Sequence, residues 1–258
     1  MSIGNRPPSA REDGRRPGDL RPVTMTLGVL KWAEGSCRIR AGDTEVLCAA
    51  TIEDRVPPHL RGKGTGWVTA EYAMHPRANP QRKDRDGRKG KIDGRTQEIQ
   101  RLIGRALRSA VALDKLGERQ IVIDCNVLDA DGGTRTASIT GGFVALALAL
   151  AVLKKKGSVG PGVVRAPVAA ISAGLVGGQL LLDLCYTEDF KAEVDLNVVA
   201  GEGGTIVEVQ GTAEGAPVPR ARFDGLVDLA LSSIPALRTA QDAALDAAGV
   251  SLRSLLAP

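Results

Sequence analysis

Apolar and polar residues alternate with a period of two over 23–27, 36–40 and 45–52, the spacing of strands with one buried face. Glu34-Gly35 and Ala41-Gly42-Asp43 punctuate these runs, so they predict an antiparallel meander. Val56-Pro57-Pro58 breaks the pattern, and 66–72 supplies one further strand. The spacing then changes. Ile99, Leu102, Ile103, Ala106, Leu107, Ala110 and Val111 recur at three and four residues, with Arg101, Arg105 and Arg108 on the other side. That stripe predicts an amphipathic helix, for which Asp93 is a suitable N-cap. A strand over 121–128 follows, then an uninterrupted apolar run over 143–153 that closes on Lys154-Lys155-Lys156-Gly157; this predicts a buried helix with cations and a glycine at its C-terminus. Strand periodicity returns at 168–176 and 180–184, joined by Gly177-Gly178 as a hairpin, and again at 194–198 and 205–210. Residues 223–248 read as helical with an interruption at Pro235, and the last ten residues as a fraying end.

Strands followed by helices fill 20–156 and again 168–248, which predicts an α+β protein of two similar β-rich lobes, each with packed helices. The organisation is a flexible Pro-, Arg- and Gly-rich arm over 1–18, a first lobe over 19–156, a linker over 157–167, a second lobe over 168–248 and a tail over 249–258. The 258 residues, 43% hydrophobic and 25% charged, suffice for two cores. The four cysteines are scattered without a CxxC pair and only two histidines occur, which argues against a zinc site and for reduced interior thiols in a cytoplasmic protein. The N-terminus lacks the apolar core of a signal peptide. The run 143–153 is shorter than the about 20 residues of a membrane span, so no membrane association is expected. A net charge of +4, carried mostly by Arg, supports a polyanionic partner only weakly.

Candidate chemistry concentrates in a few stretches. Between the 121–128 strand and the apolar helix lies Asp131-Gly132-Gly133-Thr134-Arg135-Thr136-Ala137-Ser138. Two glycines permit a tight turn, the hydroxyls of Thr134, Thr136 and Ser138 can donate, and Arg135 offers a fork suited to phosphate oxygens. A helix N-terminus behind them completes a plausible anion cradle. Arg95, four residues before Ile99, falls on the inward edge of the helical stripe, where a cation is disfavoured unless an anion or a carboxylate joins it. Residues 77–91 carry Arg77, Arg82, Arg85 and four more cations with no apolar periodicity. That is either a solvated loop or a mobile contact for an RNA backbone. In the 193–198 stretch Glu193, Asp195 and Asn197 face away from Val194, Leu196 and Val198, with Asp189 just upstream. Two aspartates that converge would suit Mg2+; otherwise they mark the exposed face of an edge strand.

With these residues laid out, the sequence resembles the ribonuclease PH family of phosphate-dependent 3′–5′ exoribonucleases, which trim tRNA 3′ ends. The resemblance runs from about residue 13 to 231. It is carried by Glu53-Asp54-Arg55-Val56-Pro57-Pro58, by the 66–72 and 94–105 blocks, and by 131–141 with its Asp131-Gly132-Gly133-Thr134-Arg135. It implies two lobes like ribosomal protein S5 domain 2, assembled as a homohexamer (a trimer of dimers). It also implies phosphate binding by Arg95, Gly133, Thr134 and Arg135, tRNA binding by Arg77, Arg82 and Arg85, and a catalytic, Mg2+-linked role for Asp189 and Asp195. Inorganic phosphate would be the co-substrate, nucleoside diphosphates the products, and tRNA, rRNA and other RNA 3′ ends the substrates. The chain departs from the family in its longer N-terminal arm and in Cys185. Two other readings share the framework: a phosphorolytic subunit of an exosome-like ring, and a non-catalytic RNA-binding ring subunit. A nucleoside triphosphatase is disfavoured because no GxxxxGK[ST] pattern occurs.

Overall fold

The computed structural model describes residues 11–85, 90 and 92–257. Five strands, β1 (Val23–Leu27), β2 (Gly35–Ala41), β3 (Thr44–Glu53), β4 (Trp67–Met74) and β5 (Gln120–Asp129), form one sheet in the order β1-β2-β3-β5-β4. β1, β2 and β3 are the expected meander, β3 and β5 are antiparallel, and β4 runs parallel to β5. A parallel pair needs a long crossover. Here it contains α1 (Gly94–Ser109) and the single turn α2 (Leu113–Leu116). The stripe read in the sequence is buried from Ile99 to Val111. Asp93 caps α1, accepting from the Thr96 amide at 2.8 Å.

α3 (Thr134–Lys155) starts well ahead of the apolar run that announced it. It has no polar face because it has no solvent face. It packs on β2 and β3 of the first sheet and on β6 (Val168–Val176) of a second, the environment that an all-round apolar helix requires. By length and composition α3 could cross a membrane, but its apolar window is 83% buried within the fold. The approach to the first sheet is close: a Cβ on Gly141 would stand 2.6 Å from Ile39 Cγ2 and 3.3 Å from Cys48 Sγ. Beneath it lies a row of thiols, since Cys37 pairs with Cys48 across β2–β3 and Cys48 with Cys125 across β3–β5.

The second sheet adds β7 (Gln179–Leu182), β8 (Val194–Gly201) and β9 (Ile206–Ala213), in the antiparallel order β7-β6-β8-β9. Gly177 and Gly178, at φ 55° and 77°, make the β6–β7 hairpin turn. α4 (Tyr186–Asp189) is a single turn between β7 and β8, and α5 (Arg220–Ala247) covers this sheet with Leu226, Ala230, Ile234 and Leu237. Farther along α5, the fully buried Gln241 donates to the carbonyls of Thr140 (2.8 Å) and Val168 (3.1 Å), tying α5 to α3 and β6.

Several expectations need correction. α5 runs unbroken through Pro235. The proline lies on the exposed side, where water can satisfy the carbonyl left without an N–H partner. The tail does not fray: Leu252 and Leu255 are buried in the core around the first sheet, and the Leu255 carbonyl accepts from Gly162 and Val164 at 2.9 and 3.0 Å. The segment expected to be a linker is therefore packed, with Val159, Val163 and Val164 buried. Residues 11–18 of the expected flexible arm are anchored as well. Buried Arg11 donates to Glu188 (2.7 Å) and to the carbonyls of Leu182 (2.7 Å) and Asp183 (2.9 Å); residues 1–10 lie outside the described residues. β8 is an inner strand, not an edge, so its carboxylate is not a plain solvent face.

Burial pushes the Cys37 thiol up to about 12, and a hydrogen bond with Cys125 together with burial pushes that of Cys48 well above its ordinary value, whereas Cys185 is half-buried. A thiol-reactive chromogen at pH 8 is expected to label Cys185 alone in the folded protein and all four cysteines in denaturant. Rapid labelling of more than one thiol without denaturant would show that the α3–sheet core opens.

Candidate active site

The chain leaves β5 and reverses through Gly132 and Gly133, both left-handed at φ 72° and 65°, before α3 begins at Thr134. Gly133 is the N-cap and caps with no side chain, so the first amides of α3 keep their donors free for a ligand. Both glycines are required. A Cβ on Gly133 would meet Arg21 Nη2 at 3.0 Å and Thr136 Oγ1 at 3.3 Å, and one on Gly132 would run into the Leu184 carbonyl and Cys185 backbone. Arg21 holds the turn from behind. Its guanidinium donates to the carbonyls of Asp131 and Gly132 and to Asp183 Oδ1 (2.7 Å), while its amide donates to Asp183 Oδ2 (2.8 Å). Asp183 is buried, and at φ 53° it is the non-glycine residue with a left-handed backbone among the described residues. That strain persists because its carboxylate and its backbone are both held, the latter through the Ser172 carbonyl (2.7 Å).

In front of the turn is a cleft of about 360 Å³. Arg95, Gly133, Thr134, Arg135, Asp189 and Asp195 all line it, although they come from the start of α1, the β5–α3 turn, α4 and β8. Three larger hollows, of about 710, 630 and 620 Å³, lie under the end of α5, between the β6–β7 turn and the start of α5, and between the β1–β2 loop and the end of α3; none of them is lined by the glycine turn or by the N-terminus of α3. Arg135 is half-buried, with Nη1 3.4 Å from Gln210 Oε1 and 3.5 Å from Glu98 Oε2. Thr134 Oγ1 shares a 2.9 Å hydrogen bond with the Tyr72 hydroxyl. Asn197 Nδ2 lies 3.5 Å from Asp195 Oδ2.

The electrostatics follow from this mixture. Burial, reinforced by the Asp189 charge, pushes the Asp195 carboxyl up to about 6, with Arg135, Asn197 and Arg95 acting the other way. Burial also pushes Asp189 above the usual carboxylate range, against the opposing pull of Arg95 and Arg135. A buried carboxylate whose affinity for a proton is raised by a neighbouring negative charge also favours any other cation placed beside it. Tyr72 is pushed up by burial and eased back by its bond to Thr134 and the same two arginines.

Some sequence-based expectations fail in detail. Arg95 is exposed at the cleft mouth, not tucked under the α1 stripe, because the apolar face begins only at Thr96 and Ile99. The hydroxyls of Thr136 and Ser138 bond to the carbonyls of Gly133 (2.9 Å) and Thr134 (2.8 Å), which leaves Thr134 as the side-chain hydroxyl of the cradle that faces the cleft. Arg77, Arg82 and Arg85 are exposed on the segment after β4 and do not line the cleft; Arg82 pairs with Asp84 at 3.2 Å. Residues 86–89 and 91 of the same basic run lie outside the described residues. That segment does reach the cleft through Asn79 and Lys83. Asn197, Tyr186 and Phe190 also line it. Of these, only Asn197 carried a signal in the sequence, as the strand neighbour of Asp195 on the same face.

The 3′ exoribonuclease family model for domain 1 matches residues 19–151 and that for domain 2 matches residues 166–233. Ribonuclease PH of Solibacter usitatus (strain Ellin6076) is 56% identical over 227 residues, covering 88% of this chain and 95% of that protein. Among solved structures, the Archaeoglobus fulgidus exosome with RNA bound to the active site superposes with a TM-score of 0.75 at 23% identity, over 89% of this chain and 92% of that one. The archaeal exosome core gives 0.71 at 22% identity, over 90% and 91%. By sequence along both halves and by fold, the chain belongs to the 3′ exoribonuclease family.

Proposed function

We propose that this chain shortens tRNA precursors and other RNAs from the 3′ end, using inorganic phosphate as the nucleophile and releasing nucleoside diphosphates. The observation that carries the proposal is the single cleft in which Arg95, Arg135 and the amide end of α3 face Asp189 and Asp195. Phosphate is held by the two guanidinium groups, the Thr134 hydroxyl and the first amides of α3. The arginines also offset the repulsion between an anionic nucleophile and an anionic phosphodiester, so positioning and charge stabilisation supply most of the catalysis. A phosphate oxygen bonds to the terminal phosphorus as the bond from phosphorus to the 3′-oxygen of the penultimate nucleotide breaks, and a proton is delivered to that oxygen. The phosphodiester bond that breaks is replaced by the phosphoanhydride bond of the diphosphate, so bond energy is retained and the reaction is reversible.

The donor chemistry fits a divalent metal. Among the described residues no group of three or more His, Cys, Asp or Glu side chains converges, but Mg2+ commonly takes one or two carboxylates and completes its shell with water and substrate phosphate. Asp195 and Asp189 would hold it, and when bound it would supply charge stabilisation for the developing anion. Asp189 either shares that cation or hands the proton to the departing oxygen. Arg77, Arg82 and Arg85 follow the RNA backbone farther from the reacting end. The active form is a homohexamer, a trimer of dimers; support comes from the similarity to the exosome core.

Removing one charge-assisted phosphate contact costs roughly 10- to 100-fold. Arg95→Ala is therefore expected to raise KM for phosphate by that order while RNA affinity stays near wild type. Equal losses in both would contradict its assignment to phosphate. Asp195→Asn should abolish turnover yet still bind RNA. Arg82→Ala is expected to weaken tRNA binding severalfold, more steeply at low salt, with KM for phosphate unchanged; an unaltered tRNA affinity would remove the basic segment from the RNA path. Light scattering of the purified chain should give a mass near six times 27.0 kDa, and a monomer active only after addition of a second subunit would contradict the self-sufficient ring.

A further inference from the structure

Large aromatic side chains are scarce in this chain, which has two Trp, two Tyr and three Phe, and three of these seven, Tyr72, Tyr186 and Phe190, line the cleft. Tyr186 and Phe190 flank Asp189 at the turn formed by α4, and both line the cleft. They are 54% and 79% exposed. Positions 186, 189 and 190 are related by three and four residues, so the two rings and the carboxylate share one side of the turn. The ring centroids are 6.3 Å apart and the planes 32° apart, which makes the pair one contiguous apolar ledge. The ledge is fixed to the phosphate cradle, because the Tyr186 amide donates to Asp131 Oδ1 at 3.0 Å. It is fixed from below by Glu188, buried against Arg11. The core of the fold does not use these rings. By contrast Tyr72, the other aromatic residue of the cleft, is 4% exposed and engaged with Thr134.

We propose that Tyr186 and Phe190 are the stacking platform for the 3′-terminal nucleobase of the RNA. The inference rests on the RNA-trimming activity proposed above. Arg95, Arg135 and the aspartates take up the phosphate oxygens and the reacting end, and the ledge is the exposed aromatic surface adjoining them, matched to the flat face of a base. Every base has such a face, and stacking discriminates little among the four. The platform therefore suits an enzyme that removes successive nucleotides of different identity from one end: it holds the terminal residue in line without reading it.

The test uses two fluorescent oligoribonucleotides that differ only in whether the terminal nucleotide carries a base. Wild type, Tyr186→Ala, Phe190→Ala and Phe190→Trp are compared in phosphorolysis and in binding by anisotropy without phosphate. On the ordinary oligonucleotide each alanine variant is expected to raise KM and Kd for RNA roughly 10-fold, leave KM for phosphate unchanged, and Phe190→Trp should restore both RNA values. On the base-less oligonucleotide wild type should already be weakened, and the alanine substitutions should add nothing. Unchanged RNA affinity in the variants, or an equal loss with and without the base, would overturn the platform. If wild type failed to shorten RNA in the presence of phosphate, the activity would be wrong; the anisotropy data would then decide the platform separately, since a base-dependent loss supports it and a base-independent one does not.

Discussion

The buried pairing of Arg21 with Asp183 is the constraint on which the site depends. Arg21 stands just before β1, yet its guanidinium is bonded at once to the Asp131–Gly132 turn of the first half and to a carboxylate that follows β7 in the second. Breaking a buried pair by removing one partner leaves an uncompensated charge, typically costing about 3–5 kcal/mol. The two halves of the cleft are therefore registered by an interaction too costly to rearrange. Arg11 and Arg15 extend it: Arg11 bonds to Glu188 and the Asp183 carbonyl, and Arg15 bonds to the same carbonyl at 2.9 Å. This basic cluster fixes α4, and with it Asp189, relative to the glycine turn that opens α3.

From that registration the chemistry follows. The turn is glycine because its backbone is left-handed and closely backed, and its outward face is a helix N-terminus with free amides. Opposite charges are then held in one small space without cancelling directly. Arg135 leans on Glu98 and Gln210, not on Asp195, so the arginines stay available to an anionic ligand and the carboxylates to a cation. Burial and the Asp189 charge raise the Asp195 carboxyl, an environment that favours a cation beside it.

Much of the fold was legible because period and punctuation agree with the tertiary structure. The meander, the α1 stripe with its Asp93 cap and the Gly177-Gly178 hairpin need only local rules. What sequence pattern missed is set by contacts distant along the chain. Pro235 is tolerated because its side of α5 faces water, and the tail is ordered by Gly162 and Val164. At the site, the residue types of the Gly-Gly-Thr-Arg turn and of the two aspartates announced their chemistry, but only the resemblance to a known family and then the fold joined them to Arg95. The exposed position of Arg95 and the aromatic ledge beside Asp189 had no periodic signal, since neither belongs to a packed face.

The central claim is that the cleft delivers phosphate, and not water, to the last phosphodiester. Incubating the purified chain with a tRNA bearing extra 3′ nucleotides, with and without inorganic phosphate, and identifying the released nucleotides tests it most directly. Shortening that requires phosphate and releases nucleoside 5′-diphosphates is the predicted result; phosphate-independent release of monophosphates would make the chain a hydrolase and contradict the roles of Arg95, Arg135 and the α3 amides.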